Sequence, residues 1–94
     1  MLSKIPINLN QVSKKNLDAE ILRIGIIAEL DAVNLYEQMA AVAQDPNIKA
    51  ILLDIAKEEK THVGEFQALL LNRDKQQVEE LEAGKKEVKK EIGE

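Results

Sequence analysis

The chain has no cysteine and no tryptophan. Without thiols it forms no disulfide, no Cys-ligated zinc site and no iron–sulfur cluster. Aromatic residues make up 2% of the sequence, with Tyr36 and Phe66 the sole rings. That is too few to stack bases, and the net charge of -4 supplies no basic face to hold phosphates, so no nucleic-acid partner is expected. Long hydrophobic runs are absent as well. Arg23, Glu29, Asp31, Lys49 and Asp54 interrupt the apolar stretches, and none is long enough to span a membrane. The opening MLSKIPINLN lacks the apolar core of a signal peptide. These absences together predict a soluble, cytoplasmic protein with no membrane partner.

What is present favours helices. Hydrophobic residues make up 45% of the 94 positions, and Ala, Leu, Ile, Glu and Lys dominate. Residues 1–16 hold Pro6 and several Asn, show no sustained period and read as an extended arm. Asn16 is a candidate cap for a first helix, with Asp18 and Glu20 in its first turn at the positive end of the helix dipole. Apolar residues then recur at helical spacing from Leu17 to Ala43. Asp45-Pro46 marks a new start, a capping residue followed by proline at the first helical position. The second run extends to about Asn72. Asp74 can cap a third segment, in which apolar residues are sparse and Gly84 interrupts the pattern. The sequence thus predicts an all-α fold in three parts. The arm (1–16) precedes an antiparallel two-helix hairpin (17–72), and a short helix ending near Gly84 with a solvated, mixed-charge tail completes residues 73–94.

Two helices joined by so short a turn are antiparallel neighbours, each roughly 40 Å long at 1.5 Å per residue. A hairpin alone leaves much of its apolar surface wet. Ile21, Ile24, Ile27 and Leu35 on the first helix, with Leu53 and Val63 on the second, widen the stripe beyond one partner. The chain should therefore associate with copies of itself, two hairpins making a four-helix bundle.

The seam of that stripe contains residues foreign to a core. Leu22, Ile26, Glu29, Val33, Tyr36 and Ala40 follow alternating steps of four and three on the first helix. Ile48, Leu52, Ile55, Glu59, His62, Phe66 and Leu69 do the same on the second. Glu29, Glu59 and His62 interrupt the two series. Glu59 and His62 form Glu-x-x-His, a spacing that places both side chains on one helix face. In an antiparallel hairpin turning near residue 45, Glu29 lies opposite this pair, so the three meet at one level. Burying unpaired carboxylates costs several kcal/mol each, and a bound cation would offset that cost.

Taken singly, each residue has a plainer explanation. A Glu in an apolar stripe usually reaches solvent at its edge, a lone His is more often a hydrogen-bonded core residue, and Glu-x-x-His recurs by chance on Glu-rich helices. Seam position, common height and ligand complement together favour a metal. Ferritin-like di-iron and di-manganese bundles use one Glu from each of two helices and one Glu-x-x-His from each of the other two. This chain carries one of each, so two copies would supply four carboxylates and two imidazoles for two divalent ions, a neutral centre. Such ligands suit iron or manganese, and also admit zinc. Tyr36, two turns along from Glu29, reads either as a core aromatic or as a residue orienting a ligand. Asp31 lies off the seam and reads as solvated. Glu37, Glu58 and Glu65 read as surface charges.

Glu29, Tyr36 seven residues on, Glu59 at thirty and His62 at thirty-three lie within AELDAVNLYEQ and ILLDIAKEEKTHVGEF. This pattern, spanning residues 17–72, resembles the encapsulated ferritins. The resemblance implies a two-helix protomer whose ferroxidase centre, two iron ions per dimer, forms only between chains. It implies a homo-oligomer, at least a dimer and typically a ring-shaped decamer, that oxidises Fe²⁺ with oxygen inside an encapsulin nanocompartment, whose shell stores the product. Glu29, Glu59 and His62 would then be metal ligands and, with Tyr36, the catalytic residues. Asp31 would join the metal residues as the remaining half of an acidic iron-access route whose other position is Ala28. The sequence departs from the family again at Leu35, where a tryptophan is expected, and carries no recognisable shell-targeting tail. KKEVKKEIGE reads instead as the start of a linker to a fused shell domain. Two rivals remain. One is a rubrerythrin-like peroxide-reducing di-iron protein, which usually needs a Cys-ligated electron donor. The other is a non-catalytic helical assembly module.

Overall fold

The computed structural model describes residues 8, 10 and 13–93, and these contain three helices and no strand. Helix α1 spans Lys14–Val42, α2 spans Pro46–Leu71 and α3 spans Lys75–Ile92. The fold is all-α, with α1 and α2 forming the antiparallel hairpin that the sequence predicts. The arm expected over residues 1–16 lies mostly outside the described residues, and its last three belong to α1.

Asp45 closes the hairpin turn. Its carboxylate accepts from the backbone N–H groups of Asn47 at 2.7 Å and Ile48 at 3.4 Å, and Pro46 follows at the first helical position. This satisfies N–H groups that have no partner inside the helix, while proline gives up a donor that would have been unpaired anyway. At its other end, α1 begins differently from the sequence expectation. Asn16 is no cap, because the helix starts earlier: Ser13 is the capping residue, its side chain makes no capping bond, and Asn16 donates its N–H to the Ser13 carbonyl at 3.0 Å. Lys14 and Lys15 are good helix formers, and they extend α1 by most of a turn. Asp18 and Glu20 consequently move into the second turn, and the first turn holds no acidic residue.

The third segment also differs from expectation. Instead of stopping at Gly84, α3 runs 18 residues to Ile92, and the expected solvated tail is an exposed helix. One glycine in a helix costs about 1 kcal/mol. The residues beyond it, mostly Lys and Glu, propagate the helix well enough to absorb that cost. The true stop is Gly93, in the left-handed conformation at φ 78, whose N–H bonds the Lys89 carbonyl at 2.7 Å. Asp74 caps α3 as expected, accepting from the Gln77 N–H at 2.9 Å.

Helix α3 leaves the open end of the hairpin and projects away, so the molecule measures 46 × 42 Å across but only 19 Å thick. Two ion pairs fasten that end. Arg23 on α1 reaches Asp74 at 2.9 Å, and Arg73 reaches Asp18 at 3.5 Å. The core is thin. Leu22, Val33, Ala40, Ala56 and Leu70 are buried, whereas Ile21, Leu30, Ile48, Ile51, Leu53 and Leu69 are exposed. One sheet of two helices cannot cover both sides of its own apolar stripe, and the exposed set is the consequence.

Candidate metal centre

Midway along the hairpin, α1 presents Glu29, and α2 presents Glu59 with His62 one turn further on. Each residue can place one ligand atom so that all three lie within 4.8 Å of one another, and no other such cluster occurs among the described residues. His62 Nδ1 lies 3.3 Å from a Glu29 oxygen and 3.3 Å from a Glu59 oxygen. The carboxylates are 19% and 18% exposed and the imidazole 44%, so the cluster opens onto one face of the hairpin.

The geometry is informative about chemistry. An imidazole nitrogen carries at most one proton, yet here it faces two carboxylate oxygens equally, each beyond the usual 2.9–3.0 Å of an N–H···O bond. A single proton serves such an arrangement poorly. A divalent cation, with bonds of about 2.0–2.2 Å to nitrogen and carboxylate oxygen, suits three converging donors with small side-chain rotations. The donor set therefore fits a metal: two hard carboxylates and one imidazole, with charge -2 against +2. Ligation would use a ring-nitrogen lone pair of the neutral imidazole. The ligand set is still incomplete for an ion that prefers five or six donors, and the open face is where further ligands would come from.

The remaining sequence candidates fall outside this cluster. Tyr36 stands half-buried on α1, two turns beyond Glu29. Asp31 is half-buried rather than solvated, and is not among the residues brought together. Glu58 and Glu65 are exposed, and Glu37 pairs with Lys60 at 3.4 Å across the hairpin. Two contacts between distant parts of the chain lie near the site. Phe66 lies flat against Gly25, one turn toward the open end, closely enough that a Cβ on residue 25 would sit 3.2 Å from three ring atoms. A mid-helix glycine four residues before Glu29 was the available signal. The second contact is made by Arg23, which bonds the Asp74 cap and thereby ties α1 to the start of α3. Both contributions hold the Asp74 carboxyl below the usual carboxylate range, the backbone bond from Gln77 most strongly and then Arg23.

Comparison with known proteins bears on the same stretch. A family model described as EncFtn-like matches residues 5–83. The chain is 58% identical over 95 residues to a ferritin-like-encapsulin shell fusion protein of Pyrococcus furiosus, an alignment covering 99% of this chain and 28% of that protein. It is 36% identical over 69 residues to the encapsulin nanocompartment cargo protein EncC of Myxococcus xanthus, covering 70% of this chain and 53% of that one. The chain thus spans between about a quarter and a half of these relatives' lengths. The crystal structure of the encapsulated ferritin domain from Pyrococcus furiosus superimposes with a TM-score of 0.85 at 54% identity, covering 100% of this chain and 96% of that domain.

Proposed function

The chain belongs to the EncFtn-like family, and on that premise we propose that it is a ferroxidase whose di-iron centre forms between two copies. The observation that carries the reading is the convergence of Glu29, Glu59 and His62 on one open face of the hairpin. Two such faces, related by a two-fold axis, bring together the Glu and Glu-x-x-His sets of a ferritin-like bundle. The exposed apolar residues along the hairpin supply the contact that holds them there.

Fe²⁺ is the substrate. Two ferrous ions each give up one electron, and dioxygen takes up both with two protons to leave as hydrogen peroxide. The protein contributes position and charge. Glu29 and Glu59 of two chains offer four negative charges, which match two ferrous ions and favour the ferric product once it forms. His62 would hold an iron through one imidazole nitrogen. Tyr36 stands two turns from Glu29, where it can steady the far end of the site, and Asp31 offers a carboxylate on the way in. The unit that carries the site is the hairpin of residues 17–72, with α3 as a separate projecting arm.

Both curated relatives are named for encapsulin, one as a fusion to the shell and the other as its cargo. The place of this ferroxidase is accordingly inside an encapsulin compartment in the cytoplasm. The site lies on an open face of a hairpin 19 Å thick, and in this reading the encapsulin shell supplies the volume that stores the oxidised iron. The test is aerobic Fe²⁺ oxidation by the purified protein beside Glu29→Ala, Glu59→Ala and His62→Ala, with bound iron counted afterwards. Rapid oxidation in the wild type, lost in all three variants, at about one tightly held iron per chain, is expected. Wild-type rates in the variants would remove these residues from the site.

A further inference from the structure

We propose that the contact between Gly25 and Phe66 is the spacer that sets the distance between α1 and α2 at the metal centre, making both of them positioning residues. The inference rests on the di-metal reading of Glu29, Glu59 and His62. Gly25 stands one turn before Glu29 on α1, and Phe66 stands one turn after His62 on α2. In an antiparallel pair these offsets place the contact directly alongside the ligands, about 6 Å along the axis at 1.5 Å per residue.

The contact has little slack. A Cβ built on Gly25 lies 3.2 Å from Cδ2, Cε2 and Cζ of Phe66 alike, so it would press on the ring rather than slip past its edge. Aromatic rings have few rotamers and no flexible end, and Phe66 is half-buried. Relief must come from tilting the ring or from parting the helices by a few tenths of an ångström. Metal–ligand bond lengths are held to within about 0.2 Å, so a parting of the helices must be made up by rotating the ligand side chains away from their best geometry. Glu29 sits on one helix and Glu59 with His62 on the other, so any parting of the helices is felt as ligand separation. The other glycines of α2 and α3, Gly64 and Gly84, have open space where a Cβ would go. Close approach therefore accounts for glycine at position 25 and not at those two.

Positioning predicts a loss of metal affinity without a loss of folding. Replacing a helical glycine with alanine raises helix propensity, so Gly25→Ala should melt no lower than the wild type by more than the strain costs. Its affinity for Co²⁺, used as a coloured stand-in for Fe²⁺, should fall on the order of tenfold, the scale seen when support behind a metal ligand is removed. Its visible absorption should also change as the ligand geometry alters. Gly25→Ala combined with Phe66→Leu, which takes the ring away, should regain affinity. Gly84→Ala, equally a helical glycine but far from the site, should bind Co²⁺ as the wild type does. A Gly25→Ala protein with wild-type Co²⁺ affinity and spectrum overturns the spacer assignment alone. A wild-type protein that binds no Co²⁺ overturns the di-metal reading and the spacer with it. An affinity loss in Gly25→Ala that Phe66→Leu fails to repair also counts against the spacer.

Discussion

Replacing Glu59 by Gln should move stability in opposite directions with and without metal. The two carboxylates of one chain present oxygens within 4.8 Å of each other, at a site less than one-fifth exposed at either residue. Two unit charges at that distance repel by roughly 3.5 kcal/mol at an effective dielectric of about 20, and by roughly 1 kcal/mol if water screens them fully. Gln has nearly the shape of Glu and keeps an oxygen to accept from His62, but carries no charge. In the presence of a chelator, Glu59→Gln should therefore raise the free energy of unfolding by about 1–3 kcal/mol. With a urea slope of about 1–3 kcal/mol per molar, the midpoint moves up by on the order of 1 M. With Co²⁺ at about one hundred times its dissociation constant, the wild type should gain about 2.7 kcal/mol, while the variant gains little. A chelated variant less stable than the wild type would show that the carboxylates do not repel as the geometry requires. An undiminished cobalt gain in the variant would show that Glu59 is not a ligand.

Removing the cap at the hairpin turn by Asp45→Ala should cost about 1 kcal/mol, read as a lower urea midpoint with unchanged metal affinity per folded chain. Acidification should weaken the Asp74–Arg23 joint. The folded carboxyl lies below its ordinary value, so its contribution is present above the unfolded pKa and is lost as pH falls through the lower folded one. An Asp74→Asn protein should accordingly show a flatter stability–pH curve in the acid limb than the wild type, which chelated samples measured by thermal melting will reveal. Metal-free protein should shift to larger species when Fe²⁺ is added without oxygen, because a site shared between chains links binding to association. Identical elution with and without Fe²⁺ would instead mean that the interface is preformed.

Local chemistry made most of the fold legible. Asp45-Pro46 could be read as a helix start because cap and proline act within four residues, and the seam of α1 and α2 could be read because its period is a property of one helix at a time. The common height of Glu29, Glu59 and His62 followed from the shortness of that turn. What failed were the ends where competing tendencies nearly balance. Asn16 is a good capping residue, yet Lys14 and Lys15 continue the helix past it. Gly84 looked like a stop because apolar residues are sparse around it, but α3 rests on helix propensity rather than on burial, and Lys and Glu supply that. Asp31 lies off the seam on the helix wheel yet is half-buried, which the period of one helix does not indicate. Gly25 and Arg23 were illegible for the same reason: the ring that meets Gly25 and the carboxylate that holds Arg23 lie forty or more positions away in sequence.

The most direct test of the central claim is the mass of the anaerobically loaded protein under native conditions, with iron counted in each species. The account predicts even-numbered assemblies carrying one Fe²⁺ per chain, with the dimer as the smallest iron-bearing species, and smaller, iron-free species in Glu59→Ala. Iron held tightly by a single chain, or assemblies that stay iron-free at saturating Fe²⁺, would contradict it.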